Sequence, residues 1–210
     1  MLEKSISPEK TITTSQEIEI KIKTSQKYMQ RLHAWLQKNA QSKGVEQHKE
    51  VYLDNPQTTF FFTKPSGEKD ALNYLRVRWS NNGGSVCLKK WYEQNGKSTH
   101  CDEYETDVAN PDMLLKLLEQ LGYTHQTWVE KTRQKFLAGN YEIVIDDVKS
   151  LGTFVEVEMK KPVTDPEAAL EKLETFLVET IGIKEYWIQT RGYASHLRNP
   201  HMNFGVHKKH

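Results

Sequence analysis

Three segments of the chain carry apolar residues at the spacing of an amphipathic helix: 25–40, 110–122 and 165–182. The second and third begin with an Asn-Pro or Asp-Pro pair and stop at a glycine, which is typical of helix ends. Each segment has an apolar stripe and a polar back, so each is predicted to pack against a sheet.

Most of the remaining chain alternates apolar and polar residues, which is the pattern of β-strands. Turns rich in Gly and Asn separate neighbouring runs and predict several antiparallel hairpins. So many strands beside three helices predict an α+β fold, in which a barrel or strongly curved sheet carries the helices on its outside. The predicted strands are 16–23, 47–54, 58–63, 71–80, 84–93, 98–108, 123–135, 141–148 and 153–160.

The charged residues of these strands are sorted by sign. Side chains two apart on a strand share a face, and the pairs on shared faces are Glu-Glu, Arg-Arg, Glu-Glu, Lys-Arg and Glu-Glu in chain order. A sheet with one solvated face also alternates, and for any single strand that is the simpler interpretation. The set as a whole favours an arrangement in which the acidic and basic faces of different strands lie close to one another. It comprises six bases, Lys21, Arg76, Arg78, Lys89, Lys131 and Arg133, and seven acids, Glu17, Glu19, Glu103, Glu105, Asp146, Glu156 and Glu158.

The apolar faces of the same strands are the surfaces that the helices should cover, so the charged faces are predicted to line the interior of the barrel. Charge in an interior is costly unless it is compensated. Arginine recognises phosphate oxygens, and carboxylates bind Mg²⁺ or Mn²⁺, which also bridge phosphates. A polyphosphate bound with a divalent metal would therefore satisfy both halves of the set.

The order of these residues resembles a known family. Glu17-Ile-Glu-Ile-Lys21 matches the ExExK signature of the CYTH superfamily, also called triphosphate tunnel metalloenzymes. The resemblance spans about residues 16–195, and the stretch 139–158 is most similar to the class IV adenylyl cyclase branch. The match continues in order through Leu75-Arg76-Val-Arg78, Leu88-Lys89, Glu103-Tyr-Glu105, Lys131-Thr-Arg133, Asp146 and Glu156-Val-Glu158.

The resemblance implies an eight-stranded antiparallel barrel whose tunnel holds a triphosphate and one or two divalent metals. It assigns phosphate binding to Lys21, Arg76, Arg78, Lys89, Lys131 and Arg133, and metal ligation to Glu17, Glu19, Glu156 and Glu158. Asp146 would join the acidic set and take part in catalysis. Lys89 would lower the pKa of the nucleophile or act as a base. Glu103 and Glu105 would orient the basic residues or assist the metal.

Two enzyme activities fit this resemblance. A class IV adenylate cyclase converts ATP to cyclic AMP and pyrophosphate, whereas triphosphatases of the family hydrolyse inorganic tripolyphosphate, thiamine triphosphate or a nucleoside triphosphate. The cyclases commonly carry a His-Phe pair shortly before ExExK, and residues 11–16 contain none, so both activities stay open. A non-catalytic polyphosphate- or nucleotide-binding module is a third interpretation, which the four acids predicted to bind metal argue against.

Composition narrows the class of partner. The 210 residues suit one domain, and 29 Lys and Arg against 28 Asp and Glu give a net charge of +1. That balance excludes a generally basic nucleic-acid coat protein and a polybasic membrane binder. We expect a small molecule that contains a triphosphate as the partner, with no nucleic acid and no membrane, and we leave a homodimer open.

The expected compartment is the cytoplasm. The first 16 residues contain no apolar stretch, and the only two cysteines, Cys87 and Cys101, are expected to be free thiols. Residues 1–15 are predicted to form a flexible N-terminus and 16–198 the barrel domain. Residues 199–210 are predicted to form a basic tail that contains histidine and frays at its end.

Overall fold

The structure is a computed structural model that describes residues 18–81, 83–94, 97–160 and 165–210. For 92–94, 97–101 and 166 it describes only the backbone. The predicted flexible N-terminus, the metal ligand Glu17 and the thiol of Cys101 therefore lie outside the part that is described.

The three predicted helices are confirmed. They are α1 (Gln26–Asn39), α2 (Pro111–Gln120) and α3 (Pro166–Thr175), which continues as a π-helical turn (Phe176–Ile181). A fourth helix, α4 (Tyr193–Arg198), was not predicted. No helix within the described ranges has both the length and the apolar character that a membrane span requires.

Strands make up most of the rest of the described chain. β7 and β12 are the two ends of a ten-stranded antiparallel sheet with the order β12-β11-β1-β10-β9-β8-β2-β5-β6-β7, and β3 pairs separately with β4. The strands are β1 (Glu19–Thr24), β2 (Gln41–Asp54), β3 (Phe61–Thr63), β4 (Lys69–Ala71), β5 (Asn73–Ser80), β6 (Gly83–Gln94), β7 (Lys97–Val108), β8 (Thr124–Ala138), β9 (Tyr141–Val148), β10 (Gly152–Met159), β11 (Glu185–Gln189) and β12 (Gly205–Lys209).

The described strands do not form the closed eight-stranded barrel that the family resemblance implied. β7 and β12 do not pair with each other within the described ranges, so the sheet is open. Two strands that the sequence pattern did not reveal, β11 and β12, extend the sheet beyond β1, whereas β3 leaves it to pair with β4. The sheet is nevertheless strongly curved, because side chains from nine of its ten strands line one cavity.

The helices cover the apolar face of the sheet, as predicted. Ile22 of β1 lies in one core cluster with Leu36 of α1 and Leu173 of α3, and all three side chains are buried. Helix α2 covers Val51 of β2 and Val77 of β5 in another cluster. Because the helices cover the apolar face of the sheet, its charged face lies on the concave side.

Helix α4 fills one end of the concave side. Its residues Tyr193 and Ala194 pack against Val129, Val148 and Phe154. Val129 shares a strand face with Lys131, and Phe154 shares one with Glu156, so this apolar cluster lies next to the charged residues. The charged cavity therefore has an apolar floor at the end where α4 is placed.

Side-chain contacts join α4 and the segment before it to the β3–β4 hairpin. The Asn199 amide donates to the Lys69 carbonyl (2.9 Å) and accepts from the Lys69 backbone N–H (2.7 Å). The Arg191 guanidinium donates to Glu68 (2.9 Å). These bonds tie the C-terminal part of the chain to the hairpin between β2 and β5, across the concave side of the open sheet.

The prediction of a frayed tail at 199–210 is wrong. Residues Gly205–Lys209 form β12, which pairs along its whole length with β11. The His207 ring stacks on Trp187 with ring centroids 4.8 Å apart and contacts Glu185 at 3.1 Å. His207 and His210, which stacks on Tyr186, therefore pack against β11, and backbone pairing orders a polar segment in which the sequence shows no clear alternation.

Asn199 provides a test of the connection between α4 and the hairpin. We expect Asn199→Ala to lower the free energy of unfolding by about 2 kcal/mol, because two backbone groups of Lys69 lose their partner. Urea denaturation measures the change. Asn203→Ala is the matched control, since the Asn203 side chain is exposed and accepts only a local bond from Gly205. Equal effects of the two substitutions would contradict the connection.

Candidate active site

The concave side of the sheet holds a cavity of about 730 Å³. Of the thirteen site residues predicted from the sequence, eleven line it, Glu17 lies outside the described residues, and Asp146 lies behind the wall. The described lining contains nine Lys or Arg and nine Asp or Glu side chains, so cations and carboxylates balance. The predicted residues that line the cavity are Lys21, Arg76, Arg78, Lys89, Lys131, Arg133, Glu19, Glu103, Glu105, Glu156 and Glu158.

Glu156 on β10 is the meeting point of three donors. Its carboxylate contacts the Lys21 ammonium at 3.0 Å, and it accepts bonds from the Arg133 guanidinium (2.8 Å) and the Tyr193 hydroxyl (2.9 Å). Burial alone would raise the pKa of Glu156, but the nearby cations Lys21, Arg133 and Lys131 hold it well below its usual range. Glu156 is therefore ionised, and it positions the cations around it.

Asp146 on β9 is completely buried and forms the back of the same cluster. It accepts two bonds from Arg133 (2.8 and 2.5 Å), and the Lys131 ammonium lies 3.3 Å away. The Tyr193 hydroxyl lies 2.9 Å from Asp146 as well as from Glu156, and its single proton is shared between the two carboxylates. Burial works against ionisation, yet Arg133 and Lys131 lower the pKa of Asp146. Because Asp146 does not line the cavity, its contacts hold Arg133 and Lys131 in place and do not reach a ligand directly.

Glu50 on β2 was missed by the sequence analysis. It is 1% exposed, accepts from Arg78 at 2.8 Å, and lies 3.6 Å from Lys131 and 3.9 Å from Arg76. Burial opposes its charge, but these three cations hold the pKa of Glu50 well below its usual range. Strand alternation places Glu50 on the same face as His48 and Tyr52, but neither residue is an acid, so the search for like-charged pairs did not find it.

Glu103 and Glu105 on β7 contact cations of β6 and β5. Glu105 accepts from Arg76 at 3.0 Å, and Glu103 contacts the Lys89 ammonium at 2.7 Å. Burial would lower the pKa of Lys89, but Glu103 raises it above the usual value. Lys89 therefore carries its proton at neutral pH, which disfavours the predicted role as a general base and suits an electrostatic one.

A row of carboxylates crosses β1, β10 and β9. Glu19 lies directly opposite Glu158, and Glu158 opposite Glu142. Burial, followed by the like charges of Glu142 and Glu19, raises the pKa of Glu158, although Lys160 lies 3.1 Å away. Carboxylate oxygens are the ligands that Mg²⁺ and Mn²⁺ prefer, but the oxygens of these three residues do not all lie within 4.8 Å of one another, so a cation would have to draw them together.

Among the described residues, one group of three ligand atoms is close enough to hold a cation, and it lies on β6 and β7. The Cys87 thiol and the carboxylates of Glu103 and Glu105 offer atoms within 4.8 Å of one another. Both carboxylates already have cation partners, and burial raises the pKa of Cys87 to about 12, so the thiol keeps its proton and donates to Glu103 (3.3 Å). A metal here would have to displace Arg76 and Lys89.

Other lining residues were also outside the predicted set. Glu142 and Lys135 lie on the charged faces of β9 and β8, where strand alternation could have identified them. Tyr193 could be placed only from the structure, because it lies in the short helix α4. Its ring has the Lys21 and Lys131 ammonium groups 4.7 and 4.9 Å from its centroid, so it supports both cations.

The chain matches the family model for the CYTH domain over residues 15–186. No curated protein matches it significantly. Three solved structures are similar to it: the PH1012 protein of Pyrococcus horikoshii OT3, a Vibrio parahaemolyticus protein provisionally assigned as an adenylate cyclase, and HpAC1 of Hippeastrum.

Sequence identity to all three is below 25%, so these similarities show a shared fold and nothing more. The Pyrococcus protein is 23% identical, with a TM-score of 0.64 and coverage of 85% of this chain and 97% of that one. The Vibrio protein is 18% identical (TM-score 0.61, 89% and 99% covered), and the Hippeastrum protein 19% (TM-score 0.59, 89% and 97% covered). HpAC1 is described as a provisionally assigned adenylyl cyclase with a dominant triphosphatase activity.

The charge cluster makes stability depend on pH. Glu50, Asp146 and Glu156 have a lowered pKa in the folded protein, so the stability that they contribute is complete above their usual values of 3.8–4.5. That contribution is lost as pH falls below those values. We therefore expect the free energy of unfolding to decline steeply from about pH 4.5 downward, as measured by urea denaturation across pH.

Glu50→Gln should flatten this decline, because one carboxylate with a lowered pKa is removed. Glu130→Gln is the control, since Glu130 pairs with Lys149 on an exposed part of β8. If Glu50→Gln left the pH profile parallel to that of the unmodified protein, Glu50 would not be ionised inside the cluster.

Proposed function

Because the chain belongs to the CYTH family, we propose that it is a divalent-metal-dependent enzyme that acts on triphosphate substrates in the charged cavity. The observation that carries the proposal is the convergence of six predicted phosphate-binding cations on one cavity. Its volume of about 730 Å³ lies within the usual range of ligand pockets, roughly 300–1,000 Å³. Inorganic tripolyphosphate would fill only part of such a space, which favours a triphosphate with an organic group.

The six cations would bind the phosphate oxygens. Arg76 and Arg78 come from β5, Lys131 and Arg133 from β8, Lys21 from β1 and Lys89 from β6, so they approach a ligand from several sides. Each is paired with a carboxylate in the absence of ligand. An entering triphosphate would compete with those carboxylates, and a divalent cation would compensate the acids that are released.

The metal would be held by Glu19 and Glu158, with Glu156 at the edge of the set and Glu17 as a further predicted ligand. A bound Mg²⁺ or Mn²⁺ neutralises charge on phosphate oxygens and polarises the phosphorus that is attacked. Glu158 is the best placed of these residues, because its carboxylate faces two other acids. Glu156 contributes by holding Lys21 and Arg133 toward the phosphates.

The first candidate reaction is that of a class IV adenylate cyclase, in which the 3′-hydroxyl of ATP attacks the α-phosphorus and pyrophosphate leaves. Arg and Lys side chains would stabilise the charge that develops in the transition state. Exposed Trp91 lines the cavity beside Lys89 on β6, where a flat ring of the substrate could contact it. That position supports a nucleotide over inorganic tripolyphosphate.

Triphosphate hydrolysis is the second candidate. Two observations favour it: residues 11–16 lack a His-Phe pair, and Glu103 keeps Lys89 protonated, so Lys89 is poorly suited to deprotonate a ribose hydroxyl. The described activity of HpAC1 is consistent with this candidate. The cytoplasmic location and the homodimer stay predictions.

Product analysis separates the two reactions. The purified protein is incubated with Mg²⁺ or Mn²⁺ and, separately, ATP, inorganic tripolyphosphate or thiamine triphosphate, and the products are resolved by chromatography. We expect cyclic AMP and pyrophosphate from ATP. Orthophosphate without cyclic AMP would identify a triphosphatase instead, and the fastest substrate would name its class. The absence of turnover with all three would contradict the proposed enzyme.

Arg76 provides a test of phosphate binding. We expect Arg76→Ala to raise KM by about 10- to 100-fold, because charged hydrogen bonds to the phosphates are lost. Steady-state kinetics measure the change, with circular dichroism as a check on folding. Arg31→Ala is the matched control, since Arg31 is exposed on α1, away from the cavity. An unchanged KM in a folded Arg76 variant would remove Arg76 from the phosphate site.

A further inference from the structure

A second cavity, of about 590 Å³, lies beside the other end of α4. The charged cavity contacts the first residues of α4, Tyr193 to Ser195, whereas the second contacts Leu197 and Arg198 near its end. The β3–β4 hairpin borders both cavities, through Asp70 on one side and Lys69 on the other. The two cavities share no lining residue, so the second is a separate site.

Arg198 in this cavity has no counter-ion. Its guanidinium makes no hydrogen bond or ion pair with any described residue, and its Nη1 atom is buried without a partner. The Arg198 Cζ atom lies 4.2 Å from the centroid of the Phe61 ring, which fixes the plane of the group without satisfying its donors. Burial lowers the pKa of Arg198, and Tyr74, Asp54 and Asp70, none of them within ion-pair distance of the guanidinium, offset that shift only in part.

Every guanidinium that lines the charged cavity has a carboxylate partner, in contrast to Arg198. Arg76, Arg78, Arg133 and Arg191 all form ion pairs within 3.0 Å. A partly buried cation that lacks such a partner is costly, and that cost is recovered if a ligand supplies the anion. The difference between the two cavities therefore indicates a binding role for Arg198.

Lys69 is a second cation of this cavity, and its ammonium has no ion pair within the described residues. Asp54, the acid among the described lining residues, accepts bonds from the Thr59 hydroxyl (2.6 Å) and the backbone N–H groups of Phe60 (2.6 Å) and Asn55 (2.9 Å), but these neutral donors leave its negative charge in place. The described lining therefore has a surplus of positive charge, and the donors of Arg198 and Lys69 suit the oxygens of a phosphoryl group.

We propose that this cavity is a second anion site, in which Arg198 and Lys69 bind the phosphoryl group of a small molecule. Phe61 and Phe62, with Leu197 and Pro200, give the cavity an apolar wall. Free phosphate or pyrophosphate and the phosphate of a nucleotide offer the same group, and the apolar wall leaves room for a nucleotide ring. The site is independent of the reaction that takes place in the charged cavity.

Equilibrium dialysis with labelled pyrophosphate, in the presence of excess Mg²⁺, tests the proposal. We expect two bound equivalents for the unmodified protein and one for Arg198→Gln, whose weaker site loses affinity by at least about tenfold. Lys69→Gln is a second variant with an exposed side chain, expected to weaken the same equivalent. Arg31→Gln is the matched control and should retain both equivalents.

Competition experiments and the two variants show whether the second anion site exists and which ligand it prefers. Competition by AMP at lower concentration than phosphate would identify a nucleotide site, and competition by phosphate alone a site for the inorganic ion; both support the proposal. Unchanged stoichiometry and affinity in Arg198→Gln and Lys69→Gln would overturn it. Turnover of the two variants should stay within about twofold of the unmodified protein, so a failure of the proposed enzyme would appear as a separate result.

Discussion

The fold depends on the pairing of opposite charges between neighbouring strands of the curved sheet. Acidic β10 and β9 lie between Lys21 of β1 and the basic strand β8, and Glu50 of β2 lies between β8 and the arginines of β5. Each ion that is removed from water costs several kcal/mol unless a partner is close, so the ion pairs between these strands offset the cost of the buried charges. The same pairing leaves the described lining of the cavity without a surplus of either sign.

Strand alternation was sufficient to predict the charged face, because the rule that side chains two apart share a face depends only on the backbone. It placed Arg76 with Arg78, and Glu156 with Glu158. It missed Glu50, because the residues two before and two after it on β2, His48 and Tyr52, are not acids. A search for like-charged residues two positions apart therefore finds strands that carry two such functional residues and overlooks strands that carry one.

Short elements that are stabilised by tertiary contacts were also not predictable from the sequence. Helix α4 has six residues, too few to show helical periodicity, and β12 is a polar segment that becomes a strand by pairing with β11. These elements turn a predicted closed barrel into an open sheet, one end of which is filled by α4. They also place Tyr193 between Asp146 and Glu156, a contact that spans distant parts of the chain.

Because the charges that line the cavity balance, we expect it to bind a triphosphate together with a divalent cation. Titration calorimetry of tripolyphosphate with the protein, once with excess Mg²⁺ and once with a chelator, measures this dependence. We expect markedly tighter binding with Mg²⁺, and Glu158→Gln should reduce that difference. Equal affinity with and without the metal would instead identify a simple anion-binding module.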